Sequence, residues 1–204
     1  MLKKFKVLIL IASLAITLSL MSNTYSRYVA SSNGNVEIEF AKWQLLVNNT
    51  DITTNTTSNI SFEPTIEENI NVAKDKVAPS SIGYFDVEID PTNVDVSFNY
   101  TIELNIENSD IPDLMITKYA IVPNDYLEGD KLTFENITDN SITNTVLYDQ
   151  KTFDKFTVRI YFQWMEGEDT TMTDAEDTVI GNNAAINDTS FTINANIKFE
   201  QIIS

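Results

Sequence analysis

The sequence predicts an all-β fold, an antiparallel sandwich of two sheets that follows an N-terminal signal helix. Three observations support this prediction. Several segments alternate apolar and polar residues with a period of two, as strands with one buried face do. No long helical period follows the leader. The chain begins with a basic cluster and then an apolar run, which is the layout of a secretory signal peptide.

The period-two alternation defines the expected strands. The longest segment is Val94–Glu107, and Phe85–Ile89 lies just before it. Asp90–Asn93 between them has turn chemistry, so we expect these two strands to form a hairpin. Equally clear alternation marks Phe156–Trp164 and Phe191–Phe199. Further strands are expected at Val36–Val47 and, with weaker patterns, at Ile60–Phe62, Lys118–Val122, Leu132–Phe134 and Thr145–Tyr148.

Three segments between the strands have a different character. Thr173–Glu176 has the spacing of a capping box and predicts the start of one short helix, which Gly181 is expected to end. Asn48–Asn59 is rich in Asn and Thr and predicts a surface hairpin tip. Residues 165–190 are acidic and link the last two strong strands.

The leader and the remainder define two expected regions, a signal peptide at residues 1–26 and a single β-sandwich domain at residues 27–204. Three lysines precede the apolar run Val7–Met21, which is shorter than the ~20 residues that a spanning helix needs. Thr24 and Ser26 are small enough for the −3 and −1 positions, so we place the cleavage after Ser26. The alternative is a leader that is retained as an anchor.

Composition excludes several functions. The chain has 30 acidic and 13 basic residues, with a net charge of −17 and a pI of about 4.1. This balance argues against nucleic acid and against docking on anionic lipid, so contact with a membrane is expected only through the leader. His and Cys are both absent. Disulfides, thiol nucleophiles, Ser-His-Asp triads and HExxH zinc sites are therefore impossible.

Two groups of residues are candidate sites. Two tryptophans, Trp43 and Trp164, could form a sugar platform, but Trp164 is in phase with apolar strand neighbours, which is typical of a core residue. Acidic side chains cluster in the loop 166–177 and could bind calcium, but the EF-hand spacing is absent, so we interpret this loop as a solvated acidic segment. We therefore expect no enzyme activity and no catalytic, cofactor or metal residues. The acidic cluster comprises Glu166, Glu168, Asp169, Asp174, Glu176 and Asp177.

The chain resembles a known family, and the resemblance is spread over most of its length. It begins at Thr24–Tyr28, which is similar to the cleavage region of proteins processed by SipW-type signal peptidases. The order and spacing of several further segments are similar to those of the TasA/camelysin group of proteins exported by Firmicutes. These segments are Ala41–Trp43, Val77–Asp90, Asn99–Ile102, Trp164 and Asp177–Gly181.

The resemblance implies a jelly-roll-like sandwich that is secreted to the surface of a Gram-positive-type bacterium. It also implies a biofilm-matrix or surface protein whose partners are further copies of itself or other matrix proteins. Assembly into fibres by donor-strand addition is the expected route, with Arg27–Phe40 as the donor. The alternative for Val36–Phe40 is the first strand of its own sandwich. Alternative functions are a monomeric adhesin or carbohydrate-binding module and, weakest, a camelysin-like metallopeptidase, for which no motif is present.

Overall fold

A computed structural model describes most of the chain. The described residues divide into two compact units, Met1–Phe40 and Ala41–Ser204, and each unit is considered by itself. The residues that the structure describes are 2–25, 38–54, 60–107, 111–127, 129–148, 153–167, 170–187 and 189–203.

The first unit contains the helix α1 (Leu2–Tyr25). The predicted cleavage after Ser26 lies outside the described residues. The last residues of this unit, Ile38–Phe40, belong to no strand. None of the described helices combines the length and the hydropathy that crossing a membrane requires.

The second unit is built from strands and a single helix within the described residues, α2 (Asp174–Asn187). The strands alternate between inward and outward side chains, as the period of two predicts. They are β1 (Trp43–Val47), β2 (Thr50–Asp51), β3 (Thr65–Ile66), β4 (Ile82–Val94), β5 (Phe98–Glu107), β6 (Leu114–Pro123), β7 (Phe134–Asn136), β8 (Ser141–Val146), β9 (Phe156–Trp164) and β10 (Thr192–Gln201).

The strands form two antiparallel sheets. The larger sheet has the order β2-β1-β4-β9-β6-β7, and β3 pairs with β4 beside β1. The smaller sheet has the order β10-β5-β8. Both sheets contribute to one core, in which Val87 and Ile160 of the larger sheet and Phe98 and Ile102 of the smaller sheet are almost completely buried. The predicted fold class, an all-β antiparallel sandwich with an N-terminal helix, is confirmed.

The expected hairpin between Phe85–Ile89 and Val94–Glu107 is wrong. β4 continues through Asp90 to Val94 and pairs with β1, whereas β5 begins at Phe98 in the other sheet. The segment Asp90–Asn93, which has turn chemistry, forms a β-bulge. Over this stretch the chain advances by three residues along β4 but by only two along the paired strand β1. Pro91 has no N–H to donate, and a bulge accommodates it within the strand. The Asp90 carboxylate accepts hydrogen bonds from the Thr92 N–H and hydroxyl.

Other boundaries also differ from the predictions. The expected strand Val36–Val47 forms only from Trp43 onward within the described residues, and Ile60–Phe62 is not a strand. The hairpin tip expected in Asn48–Asn59 is a two-residue turn between β1 and β2. Asn48 and Asn49 in this turn have φ of 45° and 62°. Asn tolerates this left-handed conformation, so the Asn-rich composition did indicate the turn.

The expected helix is present, but it does not end where we predicted. The Thr173 N–H donates to Glu176 Oε2 at 2.8 Å, which confirms one half of the capping box. α2 then continues past Gly181 to Asn187. Since Gly181 does not have a positive φ, it does not adopt the left-handed conformation that ends helices.

Gly83 provides a test of the packing between β4 and β9. A Cβ at this position would overlap the Phe162 ring and lie 2.9 Å from Ile66 Cδ1. We therefore expect Gly83→Ala to lower the free energy of unfolding by about 1–3 kcal/mol, the usual cost of overpacking. Urea denaturation monitored by circular dichroism measures this loss.

Gly181→Ala is the matched control, because nothing lies within 4 Å of the place that the added methyl group would take. Alanine in place of glycine inside a helix should raise stability by about 0.5–1 kcal/mol. Equal effects of the two substitutions would contradict the close packing of Gly83.

Candidate functional site

β10 is the longest edge strand among the described residues of the sandwich. β10 pairs along its full length with β5 from Thr192 to Gln201, and no described strand pairs with its other side. Its inward-facing residues are all apolar, and none of them is fully buried. A strand with such an edge has unpaired N–H and C=O groups available to another chain. The inward-facing residues are Ile193, Ala195, Ile197 and Phe199.

A cavity of about 450 Å³ lies beside this edge. One wall is the stretch 195–199 of β10, and the opposite wall is Trp43 and Leu45 of β1. The β2–β3 connection also lines the cavity, chiefly with Ile52 and Phe62, while Thr53, Asn196 and Lys198 are its polar lining residues. The edge and the cavity together form a groove, named here the β10 groove, that offers backbone pairing on one side and apolar contact on the other.

Two other sheet edges, β7 and β8, carry features that oppose pairing. β7 has only three residues, and its Glu135 is paired in register with the inward-facing Tyr119. The Tyr119 hydroxyl donates to Glu135 Oε2 at 2.6 Å, and burial raises the pKa of Tyr119, which the Glu135 contact raises further. An inward-pointing charge of this kind protects an edge. β8 presents Asn144 on its inward face between Ile142 and Val146.

The residues just before β1 have apolar side chains that are exposed to solvent. Ile38 is 78% exposed and Phe40 is 97% exposed. These two alternate with Glu39 and belong to no described strand, so Ile38–Phe40 is not the first strand of its own sandwich. Residues 27–37 of the predicted donor lie outside the described residues.

Lys42 fixes the point where the sandwich begins. The Lys42 N–H donates to Asp95 Oδ2 at 2.8 Å, and the Asp95 N–H donates to the Lys42 carbonyl at 3.0 Å. This pair of bonds ties the start of β1 to the crossover from β4 to β5.

The structure does not bring Trp43 and Trp164 together as a sugar platform. Trp164 is 5% exposed, which confirms its interpretation as a core residue. Trp43 packs edge-on against Phe98, with ring centroids 6.2 Å apart, and its remaining surface lines the β10 groove. Sequence analysis therefore identified Trp43 as a candidate site residue, but as part of a sugar platform and not of the β10 groove.

Aromatic rings on the outer face of the larger sheet have cations over them. The Arg159 guanidinium lies 4.2 Å from the centroid of the Tyr84 ring and forms two hydrogen bonds of 2.8 Å with Asp86. Lys118 Nζ lies 4.4 Å from the centroid of the Phe134 ring. Since these cations occupy ring faces, the layer stabilises the sheet rather than offering a bare platform.

The acidic loop is held by a buried aspartate that sequence analysis did not identify. Asp113 is 5% exposed and precedes β6. Its carboxylate accepts hydrogen bonds from the Thr171 N–H and hydroxyl and from the Met172 N–H, at 2.9, 2.6 and 2.8 Å. Among the described residues no group of three or more acidic side chains could hold a metal ion. Glu168 and Asp169 lie outside the described residues.

The location of Ile52, Ile60 and Phe62 in the cavity wall was also not predicted. Sequence analysis assigned Ile52 to a hairpin tip and Ile60–Phe62 to a weak strand. Isolated apolar residues in a segment rich in Asn, Thr and Ser show no period that predicts what they contact.

Comparison with known proteins adds little. No protein-family model matches the chain, and no curated protein matches it. Among solved structures, the chain is similar to ACE19, the collagen-binding subdomain of the Enterococcus faecalis surface protein ACE. The identity is 12% and the TM-score 0.27, over 72% of this chain and 100% of that chain. At this TM-score the likeness supports no inference about the present chain.

Asp113 yields a prediction about pH. The hydrogen bonds from Thr171 hold the pKa of the Asp113 carboxyl below its ordinary value. A lowered folded-state pKa stabilises the fold above the ordinary aspartate pKa of about 3.9, and this contribution is lost as the pH falls through the lowered pKa. We therefore expect the Thr171 and Met172 amides to stay protected from hydrogen exchange at pH 5 as at pH 7.

Asp113→Asn should speed exchange of these two amides at neutral pH, because an amide has one acceptor oxygen in place of two. Asp154→Asn, at an exposed position, is the control for loss of a charge. Unchanged protection in Asp113→Asn, measured by NMR, would show that Asp113 does not hold the loop.

Proposed function

We propose that this chain is an exported cell-surface or matrix protein of the TasA type, with a structural rather than catalytic role, and that its copies join through the β10 groove. The proposal rests on one observation, that the chain has two features with matching shape and chemistry. One is a ten-residue edge strand beside a cavity with several apolar lining residues, and the other is a segment with exposed alternating apolar side chains.

The donor in this proposal is the segment Arg27–Phe40 of a second copy. Val36, Ile38 and Phe40 are two residues apart, so in an extended strand they lie on one face at intervals of about 6.6 Å. Added beside β10, that face would fill the cavity while the backbone pairs with the free edge. Backbone pairing supplies affinity, and the apolar side chains fix the register.

The proposed acceptor is a second copy of the chain. A donor that enters the next copy forms a head-to-tail contact, which does not close on itself and so extends into a filament.

Export is supported by the sequence of the leader and by the resemblance at Thr24–Tyr28. The net charge of −17 bears on assembly, because copies of a strongly acidic protein repel each other. We therefore expect association to be stronger at pH 5 than at pH 7.

Assembly tests the proposal on the acceptor side. The protein is purified in the form that the producing cell makes and followed at pH 7 and pH 5 by size-exclusion chromatography, light scattering and negative-stain microscopy. We expect linear fibres from the unaltered protein. Ile197→Asp puts a charge on the inward face of β10 and should leave monomers, since an ionised side chain would then face the apolar side chains of the donor.

Asn194→Asp is the matched control, because it adds the same charge to the outward face of the same strand. It should form fibres as the unaltered protein does. Monomers of the unaltered protein at high concentration at both pH values would refute fibre assembly. Fibres from Ile197→Asp would place the contact elsewhere on the sandwich.

The donor side has its own test. A double variant with Ile38→Asp and Phe40→Asp keeps the groove but loses the apolar face of the arm, so we expect it to stay monomeric. Mixed in equal amounts with Ile197→Asp, which keeps its arm, it should form dimers that cannot grow. Because each partner supplies one intact half, light scattering should show twice the monomer mass. Fibres, or no association at all, in this mixture would contradict donor-strand pairing.

A further inference from the structure

Helix α2 is held to the sandwich by very few contacts. None of its residues is fully buried, and Val179 and Ile186 are 56% and 78% exposed. The side that faces the sandwich has only three half-buried residues, Asp177, Ile180 and Ala184, one helical turn apart. Ile180 alone among these three packs an apolar side chain of any size against the core.

Asp177 is an unfavourable residue for this position. Its Oδ1 is buried, and so is the indole Nε1 of Trp164, and neither atom has a hydrogen-bond partner among the described residues. A buried carboxylate oxygen without a partner costs free energy when the group is charged. The contact face of α2 is therefore weakest when Asp177 is ionised.

The surroundings of Asp177 make its ionisation still less favourable. Burial raises the pKa of Asp177, and the negative charges of Glu166, Asp113 and Asp174 raise it further, while the Trp164 indole opposes them. These three carboxylates come from the segment after β9, the segment before β6 and the first turn of α2. The ion pairs of the described residues involve Glu88, Asp86 and Glu200, so none of them neutralises this group.

We propose that α2 is an acid-tightened flap, which packs more firmly on the end of β9 when Asp177 takes up a proton. Protonation removes the repulsion from the neighbouring carboxylates and the cost of burying a charge, and these gains outweigh the weaker hydrogen bond that a neutral carboxyl accepts from the Trp164 indole. The protein then binds more protons with α2 packed than with α2 released. Packing of α2 is therefore strongest in acid and weakens as the pH rises through the raised pKa of Asp177.

The flap is independent of how copies of the chain join. It rests on the contact between α2 and β9, whereas the β10 groove involves neither Asp177 nor Trp164. Failure of the fibre experiments would leave it unaffected, and a rigid α2 would leave the groove unaffected.

Hydrogen exchange tests the flap in the full chain. Exchange of the α2 amides is followed from pH 7.5 to pH 4.5 in the presence of a chelator, so that no divalent cation can replace the proton. After correction for intrinsic exchange, protection of the α2 amides should increase relative to the β9 amides as the pH falls. The gain should approach about tenfold for each unit by which the pKa of Asp177 is raised as the pH falls towards the ordinary aspartate pKa of about 3.9.

Asp177→Asn mimics the protonated carboxyl, so its α2 amides should be protected at pH 7.5 as in the acidic unaltered protein, with no further change on acidification. Asp154→Asn removes one charge at an exposed position and should keep the original pH profile. In a Trp43→Phe background, Trp164 fluorescence reports the same transition. A flat profile in the unaltered protein, or the original profile in Asp177→Asn, would overturn the proposal.

Discussion

The pairing of β4 with β9 is the interaction on which the rest of the sandwich depends. Their register runs without a shift from Ile82↔Gln163 to Ile89↔Phe156, and it places Val87 opposite Val158 in the middle of the core. Because a slip of one residue would turn every side chain to the other face, this pairing fixes what both sheets bury. On its other side β4 pairs with β1 and β3, so the wall of the β10 groove is fixed as well.

Strands with strict alternation were predictable because burial on one face imposes the period. Phe156–Trp164 was predicted with the bounds that β9 has. The connection after Ile89 was not, since Asp90–Asn93 suits a turn or a bulge equally, and the choice depends on β1, whose pairing the local sequence does not show. The end of α2 was missed for a related reason, because Gly181 permits a left-handed conformation without requiring it.

The two parts of the proposed site, the donor and the β10 groove, differ in how well the sequence could predict them. The proposed donor was inferred with the help of the alternation of Val36, Ile38 and Phe40, which is a local property. The groove was not found, because it joins β1, the connection around Phe62 and β10, which are more than 100 residues apart at the extremes. A surface made by such distant segments leaves no period in the sequence, and only the order of the strands reveals it.

The unprotected edge of β10 would pair indiscriminately unless something opposed it. The inward-facing charge of Glu135 opposes pairing at β7, and the polar Asn144 lies on the inward face of β8. The inward face of β10 has only apolar residues from Ile193 to Phe199. A net charge of −17 supplies a general barrier, since two acidic copies repel each other before their edges can meet. A strand that pairs with the edge and also fills the cavity of about 450 Å³ gains more than a strand that only pairs, so charge and cavity together favour one specific partner over indiscriminate pairing.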